Sequence, residues 1–134
     1  MINGVNKIFI FVDDQDKAKE FWTQKMGFGL HLDSEECPGA GWVEVVTPDK
    51  RAILILAQRP EGMPSTAGQR SHTAFYCDDI HKTVAELRSR GVEIAEDISE
   101  QHWGLSADFK DSLGTLFNIG ERTPEVQPPP PSND

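Results

Sequence analysis

A lysine opening a strand that is apolar on both faces is the first place in this sequence where chemistry is to be sought. In KIFIFV, Lys7, Phe9 and Phe11 share one face, and Ile8, Ile10 and Val12 share the other. An ammonium in such surroundings must meet a counter-charge, give up its proton or snorkel out to water. Three readings stay open for Lys7: escape through the open end of the strand, pairing with an anionic group of a ligand, or pairing with Glu44. The last requires that Trp42 and Glu44 of GWVEVVTP face the same way while Val43 and Val45 face the opposite way. His72, in SHTAFYC, titrates near neutrality and can donate or accept a hydrogen bond; it reads equally well as a histidine satisfied by its neighbours. Lys7, Glu44 and His72 are the candidate acids and bases, although proton transfer also needs a shifted pKa and contact with a substrate. Trp42 and Trp103 stand early in corresponding strands, and an indole N–H seeks a partner when partly buried.

Other reactive residue types fall out of the search. Cys37 and Cys77 lack paired C-x-x-C spacing, so they suggest neither a zinc nor a redox site and fit a reducing, cytoplasmic compartment. Asp13, Asp14, Asp78 and Asp79 precede helical patterns, where a carboxylate accepts orphan amide hydrogens, and are read as caps. His31, His81 and His102 are read as surface residues.

The elements that must hold these groups come from an internal repeat. KIFIFVDDQDKAKEFWTQKMGF, from Lys7, resembles HTAFYCDDIHKTVAELRSRGV, from His72: an apolar strand, an Asp pair, an amphipathic helix and a glycine. Ala18, Phe21, Trp22 and Met26 form the apolar face of the first helix; Ile80, Val84 and Leu87 form that of the second. Gly27 and Gly91 suit left-handed helix ends. Three more strand-like stretches follow each helix: GLHLDSE, GWVEVVTP and RAILILA, then EIAEDIS, WGLSADF and TLFNIG. Turns are expected at Pro38-Gly39, Pro48-Asp49 and Ser112-Leu113-Gly114. The predicted fold is α+β, two βαβββ modules: the first over 1–58, a linker over 59–70, the second over 71–122, and a disordered Pro-rich tail over 123–134. Because KIFIFV and AILILA are apolar on both faces, these strands are expected to be covered on both, by helices on one of them.

At 134 residues the chain suits one domain or two small modules sharing a core. Its formal charge of −9 and lack of a basic patch argue against a nucleic-acid partner. No apolar run approaches a membrane span, and the N-terminus has no signal-peptide pattern, so no membrane partner is expected.

On its two openings and the closing DSLGTLFNIGE, the chain resembles the vicinal oxygen chelate superfamily, the glyoxalase, bleomycin-resistance and extradiol-dioxygenase type, over residues 5–122. Asp111 and Gly114 are what this sequence keeps of the family's Asp-Pro-Asp-Gly turn. The resemblance implies curved mixed sheets around a cup, in which family enzymes hold a divalent metal on the first and fourth strands of each module. Those positions are Lys7, Ile55, His72 and Asn118, of which only His72 is a competent ligand; Glu121 is too far along its strand and of the wrong parity to stand in. No metal or cofactor is therefore expected. The cup should be lined by Lys7, Phe9, Phe11, Ile53 and Ile55 from the first half and by His72, Ala74, Tyr76, Leu116 and Asn118 from the second, with Trp42, Glu44 and Trp103 beside them. A metal-free protein that encloses a hydrophobic or aromatic small molecule ranks first. A metal-independent enzyme, or a divergent lyase or dioxygenase, ranks second, and a ligand-free partner-binding role third. A homodimer is expected, since family members pair symmetrically.

Overall fold

The computed structural model describes residues 1–33 and 42–122; Cys37, the Pro38-Gly39 turn and the Pro-rich tail lie outside the described residues. The described elements are β1 (Lys7–Val12), α1 (Gln15–Glu20) running into a π-helical turn (Phe21–Lys25), β2 (Gly29–Leu32), β3 (Trp42–Val46), β4 (Ile53–Gln58), β5 (Arg70–Cys77), α2 (Ile80–Ser89), β6 (Ile94–Gln101), β7 (Gly104–Lys110) and β8 (Leu116–Glu121). The fold is α+β, with two four-stranded sheets ordered β1-β4-β3-β2 and β5-β8-β7-β6, the same order repeated. No helix among the described residues is long and apolar enough to cross a membrane.

Two compact units result. The first comprises Met1–Arg70 together with the Asp111–Thr115 turn; the second is built on Ser71–Lys110 and β8. The linker residues are anchored within the first unit: the Gly68 N–H donates to the Gly114 carbonyl at 3.0 Å, and the Thr66 and Thr115 hydroxyls lie 2.7 Å apart. Asp111 shapes that turn, its Oδ1 accepting the N–H groups of Leu113, Gly114 and Thr115 at 3.0, 3.1 and 2.9 Å.

Local chemistry accounts for the helices. Asp14 and Asp79 have extended backbones and accept the N–H of Lys17 and of Lys82, at 3.0 and 3.1 Å, as N-caps do. Glu121 Oε2 accepts the Ile80 N–H at 3.0 Å, so β8 adds a second cap to α2. Gly27 and Gly91 adopt φ of 77° and 82°, a region that favours glycine, and the chain turns out of each helix there. The expected single first helix is corrected: Met26 N–H bonds to Phe21 O at 3.1 Å, a five-residue step that widens the last turn while keeping Phe21 and Trp22 buried.

Pairing in the first sheet settles strand parity. The parallel β1–β4 register sets Lys7, Phe9 and Phe11 beside Ile53, Ile55 and Ala57, and the antiparallel β3–β4 register sets Val46, Glu44 and Trp42 beside the same three. These residues share one face, hereafter the open face. Ile10, Val12, Leu54, Leu56, Val43 and Val45 are buried on the other, where α1 packs against β3 and β4. On the open face Phe9 remains 53% exposed.

In the second unit Phe75 stacks near Phe109 and Phe117, at 6.2 and 5.8 Å, and Ile80 and Val84 of α2 pack with Ala107. Alternation then sends His72, Ala74 and Tyr76 to the opposite face, with Ser106, Asp108 and Asn118.

Candidate functional site

The open face of the first unit carries a compact polar cluster set into an aromatic surface. Lys7 Nζ donates to Glu44 Oε2 at 2.8 Å, and Trp42 Nε1 donates to the same oxygen at 2.6 Å. His31 Nε2 stands 3.9 Å from the other carboxylate oxygen. Lys7 lies beside Ile53 and Glu44 beside Ile55, so the lysine reaches diagonally across β4 to its partner. Glu44 is 1% exposed and the Lys7 side chain 30% exposed, so the pair has a buried negative end and an outward positive end.

Burial alone would raise the Glu44 carboxyl. The hydrogen bonds from Lys7 and Trp42, with the charges of Lys7 and His31, outweigh it and hold the group below the ordinary carboxylate value. A carboxylate so stabilised is a weak proton acceptor; its geometry is that of a counter-ion which orients an ammonium and an indole. Phe9 stacks along Phe11 at 6.0 Å and meets the Trp42 ring edge-on at 6.1 Å, so three aromatic rings form a shelf beside the ammonium.

The second unit has a polar cluster of its own. The Asn118 amide donates to Ser106 Oγ at 2.6 Å, to Asp108 Oδ1 at 3.0 Å and to the Ala107 carbonyl at 3.3 Å, and both Ser106 and Asp108 are buried. Asp108 pairs with Asn118 as Glu44 pairs with Ile55, so each unit carries a buried carboxylate at the matching point of its third strand. His72 and Tyr76 are exposed on β5, and the Arg122 guanidinium lies 4.4 Å from the centre of the Tyr76 ring.

Several sequence-based expectations are thereby placed. Lys7, Phe9, Phe11, Trp42, Glu44 and Ile55 do come together on one sheet face, with Ile55, 2% exposed, forming its floor. His72, Tyr76 and Asn118 lie in the second unit. Trp103 is corrected: with His102 it forms the two-residue turn between paired Gln101 and Gly104, because Gly104 at φ 123° closes the hairpin there. It is therefore exposed at a hairpin tip, its ring edge-on to His102 at 4.6 Å. The surface reading of His31 missed its approach to Glu44, since the β2–β3 pairing slips between Leu30 and Leu32 and no local pattern announces that. Ser106 and Asp108 were also missed. Matching Asp108 to Glu44 through the repeat was the available signal.

The four positions that the resemblance matches to metal ligands hold an unsuitable donor set. Lys7 is an ammonium engaged with Glu44, Ile55 has no donor atom, and Asn118 turns its amide N–H groups toward Ser106 and Asp108. Only the His72 imidazole remains, against about three protein ligands in a catalytic zinc site. Among the described residues no three His, Cys, Asp or Glu side chains are grouped to hold a metal ion.

Fold and site together define a chain of two βαβββ units, the first of which carries an ion pair and an aromatic shelf on one face of its sheet. The sequence model of the Glyoxalase/Bleomycin resistance protein/Dioxygenase superfamily matches residues 4–119, and the chain belongs to that superfamily. It is 33% identical over 122 residues to YetH, an uncharacterized protein of Bacillus subtilis strain 168, across 90% of this chain and 100% of YetH. Among solved structures it is similar to a member of the same superfamily from Sphaerobacter thermophilus DSM 20745, with TM-score 0.80 and 26% identity over 90% of this chain and 98% of that one. It is also similar to TnmS3, an antibiotic binding protein from Streptomyces sp. CB03234, with TM-score 0.74 and 26% identity over 92% of this chain and 100% of that one.

Proposed function

We propose that this protein is a metal-free small-molecule-binding member of its superfamily, taking up a hydrophobic or aromatic compound against the open face of its sheet. The observation that carries this reading is Phe9. A large aromatic side chain in the middle of a strand, stacked with Phe11 and edge-on to Trp42, is left 53% exposed, and soluble proteins retain such surface where something is to be covered. The Glu44 carboxylate beside it is already satisfied by Lys7 and Trp42, which suits recognition rather than turnover. The similarity to an antibiotic binding protein supports the same reading. The donor set at Lys7, Ile55, His72 and Asn118 does not favour a divergent lyase or dioxygenase.

The experiment is a calorimetric titration with naphthamide, a neutral planar aromatic, on protein purified without added metal and checked by elemental analysis. Saturable binding with unit stoichiometry is expected, weakened about five- to tenfold in Phe9→Ala. Absence of binding, or stoichiometric metal lost on His72→Ala, overturns the reading.

A further inference from the structure

Resting on that reading, we infer that the ligand bound on the first unit's open face is an aromatic anion, its ring lying on Phe9 and its carboxylate or phenolate meeting Lys7. The chain as a whole is strongly acidic, with a formal charge of −9. Its β1–β4 sheet is different: Lys7, His31 and Glu44 are the only ionisable side chains in the four strands. Of these Glu44 is sealed at 1% exposure, whereas the Lys7 side chain is 30% exposed and that of His31 51% exposed. An approaching molecule therefore meets the cation of the pair and not its anion. The two opposite charges cancel in number but not in position.

Glu44 also fixes where that cation stands. Lys7 Nζ and Trp42 Nε1 converge on one oxygen, at 2.8 and 2.6 Å, which ties the flexible ammonium to the edge of the aromatic shelf. An ammonium has three donors, and one is engaged by Glu44, leaving capacity for an incoming acceptor. A cation held against an apolar floor of Ile53 and Ile55 is poorly screened, so an anion there gains more than it would at an open surface. Glu44 is in this sense a positioning residue, and Lys7 the residue that touches the ligand.

The test compares three probes of one shape and different charge: naphthoate, naphthamide and naphthylmethylammonium, each titrated by calorimetry at neutral pH. Naphthoate is expected to bind at least about tenfold more tightly than the amide, and the ammonium most weakly. In the double variant Lys7→Met/Glu44→Gln, which leaves no lone buried charge, the carboxylate's advantage over the amide should fall to within about twofold. A second measurement uses the wild type alone: raising the salt concentration should erode the naphthoate advantage and leave the amide unchanged. Equal binding of naphthoate and amide, tighter binding of the ammonium, or an advantage that survives in the double variant or in high salt overturns the inference while the binding function stands. Failure of all three probes overturns both.

Discussion

Glu44 shows how much one buried residue asks of its neighbours. Removing Lys7 leaves a carboxylate with little access to water, so Lys7→Met is expected to cost about 2–3 kcal/mol in chemical denaturation, and adding Glu44→Gln should restore part of it. The pH dependence follows from the lowered pKa. Its stabilising contribution is present above the ordinary value of 4.5 and is lost as pH falls below it through the folded-state value. Asp111 works in the opposite sense. Its burial raises the carboxyl despite three backbone N–H bonds to Oδ1, and Oδ2 is buried without a hydrogen-bond partner. Here the contribution is fully present below the unfolded value of 3.8 and is lost as pH rises through the raised folded value. Melting curves across the acid range should therefore show Glu44→Gln weakening the fall in stability toward low pH, and Asp111→Asn removing a loss that the wild type suffers on the way up. Coincident curves for both variants and wild type would remove these assignments.

The helices depend on interactions local enough to test one at a time. Asp14→Ala and Asp79→Ala each delete a side-chain cap and should cost about 1 kcal/mol by denaturant titration. At α2 the Glu121 carboxylate still receives the Ile80 N–H, so Glu121→Ala added to Asp79→Ala should cost more than the sum of the two single changes, whereas the same addition to Asp14→Ala should be merely additive. In β4, Ile55→Gln places an amide at a site only 2% exposed and should cost about 1–3 kcal/mol, marking this residue as packed core of the sheet. The caps were legible in the sequence because an Asp before an amphipathic run acts within one helical turn. The π-helical turn at Phe21–Lys25 was not, since a widened turn keeps the same buried faces and leaves no trace in the spacing.

For the whole molecule we expect a symmetric homodimer, because each four-stranded sheet ends in two edge strands. Sedimentation velocity should give twice the chain mass over a range of concentrations, and a monomer at every concentration would refute it. By itself the sequence determined the repeated strand, helix and three strands, the capped helix starts and the alternating faces of KIFIFV and AILILA, all of them periodic signals carried by adjacent residues. It also narrowed the partners of Lys7 to water, Glu44 or a ligand. Only the tertiary structure showed the Lys7–Glu44 pair and drew His31 in, because β4 lies between β1 and β3 and the β2–β3 pairing slips beside Glu44. Which side chains meet across strands distant in sequence depends on register, and register is set by the packing of the whole sheet.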